Sequence, residues 1–186
     1  VILTETRLGG AYVIDLEPYE DERGFFARTW DAELFASRGL DARASQASIA
    51  YNERLGTLRG LHYQLPPFAE TKLVRCTQGA LWDVIVDLRA GSDTFLEWEA
   101  VELSAANRRM LYVPELFAHG YQTLAEATEV WYQMSVPYNP DAGRGLRWDD
   151  PSLGIDWPSV NLRVMSERDR SWPELGEAVA ELGDHQ

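Results

Sequence analysis

Cysteine is nearly missing from this chain of 186 residues: Cys76 is the only one. A disulfide within the chain is therefore excluded, and so is a zinc site built on thiolates. In its apolar run, Cys76 reads as a small core residue. Histidine is scarce as well, with three in the chain. His185 belongs to the C-terminal tail, which leaves His62 and His119 as the imidazoles of the body. No apolar run approaches the roughly 20 residues that a membrane helix needs. The opening residues, VILTETRLGGAYVID, lack the basic region and apolar core of a signal peptide, and no initiating Met precedes them. A cytoplasmic location fits these features. The chain also lacks a Walker loop, G-x-G-x-x-G, G-x-S-x-G and H-E-x-x-H, which argues against hydride transfer on a dinucleotide fold.

Positive charge is in short supply. Seventeen Lys and Arg face 30 Asp and Glu, a net charge of −13. Such a surface repels nucleic-acid backbones and anionic membranes, so neither is expected as a partner. An anionic small molecule would need a pocket with its own local positive charge. Where the cations gather is therefore informative.

The remaining composition is ordinary for a globular protein, with 45% hydrophobic and 25% charged residues. The length predicts a single domain, 1–186, able to bury about 70% of its unfolded surface. No repeat, linker or low-complexity tract divides it.

The middle of the chain reads as β-structure. Lys72-Leu73-Val74-Arg75-Cys76-Thr77, then Gln78-Gly79, then Ala80 to Leu88 predict two strands joined as a hairpin. In the second strand, Leu81, Asp83, Ile85 and Asp87 share one face. Trp82, Val84, Val86 and Leu88 share the other, which is entirely apolar and is expected to face the core. Further strands are predicted at 95–103, 109–113, 121–124 and 128–136, separated by turn signals. Closely spaced strands of this kind indicate an all-β sandwich or barrel. Helices are few. Asp31 caps a predicted helix at 32–38, stopped by Gly39. Ser171-Trp172-Pro173-Glu174 matches a capping box and predicts a C-terminal helix over about 172–183.

Three clusters carry candidate chemistry. The first is Leu58-Arg59-Gly60-Leu61-His62-Tyr63-Gln64, followed by Lys72. Lys72 shares its strand face with Val74 and Cys76. It is either an edge residue snorkelling to water or a functional cation in a pocket. His62 alone reads first as a hydrogen-bonded structural histidine. The second cluster is Pro114-Glu115-Leu116-Phe117-Ala118-His119-Gly120, where a turn leads into a strand and His119 sits in the turn. The third is the strand around Tyr132, whose ring points to the same side as Val130, Met134 and Val136. A metal set of His62, Gln64, Glu70 and His119 can be drawn, but two histidines and a glutamine make a poor transition-metal site.

Six segments appear in order: RGFF at 23–26, GTLRGLHYQ at 56–64, KLVRCTQGALWDVIVDLRAGS at 72–92, PELFAHGYQTL at 114–124, RWDDPSLGIDWP at 147–158 and SERD at 166–169. Together they resemble the dTDP-4-dehydrorhamnose 3,5-epimerase family, from about Arg7 to Asp169. The resemblance implies a cupin-like jelly roll with a few short helices, no metal and no cofactor. It also implies a homodimer whose N-terminal strands cross to the partner. The implied reaction inverts C3 and C5 of a 4-keto-6-deoxy sugar on a nucleoside diphosphate, on the route to dTDP-L-rhamnose.

By this resemblance His62 is the base and Asp169 the carboxylate that orients it. Lys72 stands beside the developing enolate oxygen, and Tyr132 is the acid on the opposite face. Arg59 and Arg23 match diphosphate contacts, His119 a substrate contact, and Tyr138 the ring stacked on the nucleobase. Phe26 and Arg168 belong to the same substrate-binding set. An imidazole, with a pKa of about 6.5, suits removal of a proton made acidic by a neighbouring ketone. The chain departs from the family pattern at Arg28 and Gly143, where Glu is usual, and at Arg168, where Lys is common. A C3-only epimerase or ketoisomerase on another nucleotide sugar is the alternative, and a metal-dependent cupin enzyme is a further one.

Overall fold

In a computed structural model, which describes residues 1–183, two antiparallel sheets face each other. The strands are β1 (Ile2–Glu5), β2 (Tyr12–Asp15), β3 (Tyr19–Asp21), β4 (Gly24–Phe26), β5 (Gln46–Asn52), β6 (Leu58–Gln64) and β7 (Lys72–Gln78). They continue with β8 (Ala80–Asp87), β9 (Trp98–Ser104), β10 (Met110–Val113), β11 (Phe117–Thr123), β12 (Thr128–Met134) and β13 (Gly143–Gly145). The helices are α1 (Ala32–Ser37), α2 (Glu167–Arg170) and α3 (Leu175–Gly183). One sheet has the order β1-β2-β10-β7-β12-β5 and the other β13-β6-β11-β8-β9. Strands β3 and β4 form a separate ribbon. This is the all-β sandwich that the strand spacing predicts, in the jelly-roll form that the resemblance implies. His185 and the end of the predicted domain lie outside the described residues.

The hairpin expected at Gln78-Gly79 is not formed. β7 joins the six-stranded sheet and β8 the five-stranded one. Gly79, at φ +75°, turns the chain from one sheet to the other, with Thr128 packed so closely that a Cβ would lie 2.5 Å from its Oγ1. The strand signal was correct; the partner choice lay in contacts distant in sequence.

β8 also corrects the expectation of one core face, because both of its faces are buried. Leu81 and Ile85 pack between the sheets with Val74, Cys76, Leu111 and Phe117. Val84, Val86 and Leu88 pack outward, under a layer formed by Leu146, Leu153, Trp157, Leu175 and Leu182. The five-stranded sheet is thus sandwiched twice. Each fully buried aliphatic side chain contributes roughly 2 kcal/mol. On the outer face of the other sheet, α1 buries Phe35 against Ile14, Leu73, Met110 and Tyr112.

Local boundaries follow the predicted signals with three shifts. Asp31 caps α1 as expected, accepting from the Leu34 amide at 3.1 Å. The strand predicted at 95–103 begins at Trp98, because residues before it close a turn in which Leu96 donates to the Asp87 carbonyl. The strand predicted at 121–124 runs from Phe117, so His119 lies in a strand rather than in the turn. α3 starts at Leu175, not at 172. Ser171 instead ends α2, and Asp150 Oδ2 accepts the Leu175 amide at 2.7 Å.

Asp87 secures the end of β8. Fully buried, its carboxylate accepts from Arg89, Ser92 Oγ and Thr94 Oγ1 at 2.6–2.9 Å. Burial acts to raise this carboxyl, but the bonds from Arg89, Ser92 and Thr94 outweigh it and hold the group below the usual range. A carboxyl lowered on folding stabilises the protein above its unfolded value of about 3.9. That contribution is lost as pH falls through the folded value. Asp87→Ala should therefore cost about 2–3 kcal/mol in urea unfolding at neutral pH. The gap from wild type should close below about pH 4; a gap independent of pH would contradict this account.

Candidate active site

A cavity of about 270 Å³ opens between the sheets, lined by Arg59, His62, Lys72, His119, Tyr132 and their neighbours. Another groove, along residues 148–163, is more open and has neither His, Tyr nor Lys in its wall. The chemistry-bearing residues therefore gather in the first.

Strand β6 supplies two of them through an irregular pairing. Arg59 pairs with Tyr121 and His62 with His119, so β6 spends three residues where β11 spends two. In a regular strand Arg59 and His62 would point to opposite faces. The extra residue brings both to the cavity. Gly60, at φ +132°, makes this possible: a Cβ there would lie 2.5 Å from the Gly120 Cα.

His62 and Asp169 meet at 2.6 Å, Nε2 to Oδ1. Asp169 is carried by α2, whose Ser166 cap accepts the Asp169 amide at 3.1 Å. Its side chain is 8% exposed, whereas that of His62 is 43% exposed toward the cavity. Burial acts to raise the Asp169 carboxyl, yet bonding and attraction to His62, with help from Ser166 and Trp172, hold it below the ordinary range. Trp172 Nε1 lies 3.3 Å from the same Oδ1, and its ring meets His62 edge-on at 5.9 Å between centroids. Gly145 lies beneath the indole. This arrangement fixes which imidazole nitrogen faces the carboxylate and leaves the other free for a ligand.

The other groups approach from neighbouring strands. His119 Nε2 contacts Asp83 Oδ1 at 2.7 Å, and Asp83 is fully buried behind it. Lys72 is buried and donates to Glu70. Arg59 Nε donates to Asn52 Oδ1 at 2.9 Å, and Asn52 Nδ2 reaches the Tyr121 hydroxyl at 3.3 Å. Burial pushes the Tyr121 phenol up to about 12, so it stays a neutral hydrogen-bonding group. Tyr132 reaches the cavity from β12, in the sheet opposite His62.

The rim is aromatic and basic. Arg168 lies 3.4 Å from the Tyr138 hydroxyl and stacks over Trp172 at 5.0 Å. Tyr138 rests on Gly143, where a Cβ would come within 3.1 Å of its hydroxyl. Two predicted residues are elsewhere. Arg23 pairs with Asp21 on the β3–β4 ribbon, and Phe26, on the same ribbon, is 74% exposed. Neither lines the cavity of its own chain.

Among the described residues, no group of three or more His, Cys, Asp or Glu is arranged to hold a metal ion. The residues of the drawn metal set are engaged otherwise, His62 with Asp169, His119 with Asp83 and Glu70 with Lys72. Sequence reasoning missed Asp83, seen only as a strand-face residue, and Trp172, seen only within a capping box. A usable signal was present for Glu70: it stands two residues before Lys72, the only lysine in the chain.

The chain matches the dTDP-4-dehydrorhamnose 3,5-epimerase family over residues 5–177. An enzyme of that name from Sinorhizobium fredii is 45% identical over 159 residues, 86% of this chain and 82% of the relative. One from Methanothermobacter thermautotrophicus is 44% identical over 175 residues, 93% and 94% of the two chains. A crystal structure of a Legionella pneumophila 3,5-epimerase in complex with dTDP-4-keto-L-rhamnose superposes with a TM-score of 0.91 at 34% identity, covering 97% of this chain and 96% of that one.

Gly145 tests how far Trp172 organises the imidazole. A Cβ there would lie 2.5 Å from the indole nitrogen, whereas one at Gly176 would meet nothing. Gly145→Ala should displace the indole at a cost of about 1–3 kcal/mol and shift the His62 ring signals in long-range ¹H–¹⁵N spectra. Gly176→Ala should leave those signals in place. Unchanged His62 signals in a folded Gly145→Ala protein would separate Trp172 from the imidazole.

Proposed function

The chain belongs to the dTDP-4-dehydrorhamnose 3,5-epimerase family, and on that premise we propose that it inverts C3 and C5 of dTDP-4-keto-6-deoxyglucose by proton transfer through an enolate. It acts as an isomerase and draws on its own side chains. One observation carries the reading: His62 and Tyr132 line a single cavity from opposite sheets, and Lys72 joins its wall from β7, the strand beside that of Tyr132.

The ketone at C4 acidifies the protons on both neighbouring carbons, C3 and C5. His62 removes one of these protons, and Asp169 stabilises the imidazolium that results. Negative charge then collects on the C4 oxygen. A preorganised ammonium there stabilises the enolate far more than water would. Inversion requires the new proton to arrive from the face opposite the base, and the Tyr132 hydroxyl supplies it. Arg59 binds the diphosphate, and Arg168 assists at the rim. Tyr138 stacks on the nucleobase. His119, oriented by Asp83, contacts the sugar.

Arg23 and Phe26 serve the site of a second copy, so the enzyme works as a homodimer. In support, they sit outside their own cavity, and the face of the six-stranded sheet beyond α1 leaves Ile49 and Tyr51 62% and 51% exposed. The unbridged thiol of Cys76 suits a reducing compartment, and we assign the enzyme to the cytoplasm. No helix among the described residues is long and apolar enough to cross a membrane.

Incubation with dTDP-4-keto-6-deoxyglucose in D₂O, followed by NMR, tests the reaction. Deuterium should appear at both C3 and C5; label at C3 alone would make the enzyme a C3-epimerase. His62→Ala should slow exchange by about 10²–10⁴-fold. Tyr132→Phe should permit exchange while blocking inversion. Full epimerisation by either variant would overturn the assigned roles. Sedimentation velocity should give a dimer, and a monomer retaining full activity would remove Arg23 and Phe26 from the site.

A further inference from the structure

Glu70 is the one carboxylate among the residues that line the cavity. Its side chain is 5% exposed and that of Lys72 9%. Oε1 accepts from the Lys72 ammonium. Oε2 is shut away from solvent and has no hydrogen-bond partner among the described residues. A buried carboxylate kept for the fold is normally satisfied at both oxygens. Glu70 spends its only side-chain hydrogen bond on Lys72.

Lys72 is also the only lysine in a chain whose other cations are arginines. The distinction matters physically. A guanidinium stays charged in any surroundings, whereas a buried ammonium without a counter-charge gives up its proton readily. The other titratable groups around the cavity are no substitute for Glu70. Arg59 and His62 face in from β6, His119 and Tyr121 from β11, Tyr132 from β12, and Tyr138, Arg144 and Arg168 from the rim. The remaining nearby acids are committed elsewhere: Asp169 holds His62, Asp83 holds His119, and exposed Glu115 pairs with Arg43.

We propose that Glu70 is a positioning residue for the reaction, holding the Lys72 ammonium charged and in place where the enolate oxygen forms. This rests on the epimerase reading of the cavity. The enolate is stabilised by a full positive charge and far less by a neutral amine. Glu70 therefore sets the upper pH at which the enzyme works, without touching the substrate. The Glu70–Lys72 pair is the device, and Lys72 is the group that acts.

The single lysine makes a direct test possible. Protein labelled with ¹³C at the lysine ε-carbon gives one side-chain NMR signal, which can be titrated without substrate. In Glu70→Gln the signal should move to the neutral-amine position at a lower pH than in wild type. The alkaline limb of kcat/KM should move down with it, while the acid limb stays. Glu70→Asp, which keeps the charge but shortens the reach, should fall between the two and serves if the Gln variant does not fold. A folded Gln variant whose lysine titrates like wild type would overturn the pairing role. Displaced titration with an unmoved alkaline limb would overturn its role in the reaction. A wild-type protein without exchange activity would instead overturn the epimerase reading, and the lysine titration would still decide the pairing.

Discussion

The close approach of β6 and β11 at Gly60 and Gly120 is the constraint on which the cavity depends. Two backbones pressed together leave no room for a side chain on either residue. The extra residue that β6 accommodates there changes the side to which its neighbours point. Arg59 and His62, three residues apart, then share the cavity wall. A regular ladder would send one of them into the apolar layer with Leu61 and Tyr63. The local irregularity is thus what allows one strand to present both a cation and an imidazole to the same ligand.

Around that wall, both imidazoles and the ammonium have acids of their own. His62 has Asp169, His119 has Asp83 and Lys72 has Glu70. All three acids are buried, and two of them, Asp169 and Asp83, stand behind the groups they hold. An acidic chain can in this way present basic chemistry to an anionic ligand. The negative charge of the surface stays outside, and the negative charge of the interior is used to orient imidazoles and an ammonium. Arg59 and Arg168 line the cavity from exposed positions.

Much of this was legible in the residues themselves. The alternation in 80–88, the Asp31 cap and the clusters around His62, His119 and Tyr132 all predicted elements that exist. The resemblance added Asp169, which no local pattern linked to His62 because 107 residues separate them. Pairing choices were not legible. Gly79 reads as a hairpin turn in any local window; only the competition of β10 and β12 for β7, and of β9 and β11 for β8, separates the two strands. Trp172 was obscured for a related reason. Its neighbours form a credible helix start, and the indole's real use, against Gly145 and His62, is a long-range contact.

The separation between His62 and Asp169 has a consequence for how the enzyme comes into being. The imidazole is on a strand made in the first third of the chain, and its carboxylate arrives on a short helix near the other end. A ribosome that has released the β-sheets has not yet produced a complete site. Until residues through Trp172 have emerged and docked against His62 and Gly145, the imidazole lacks the partner that sets its tautomer. Completion of the site is therefore coupled to the last steps of synthesis, and a chain stalled before them holds a nearly finished sandwich whose imidazole lacks its carboxylate.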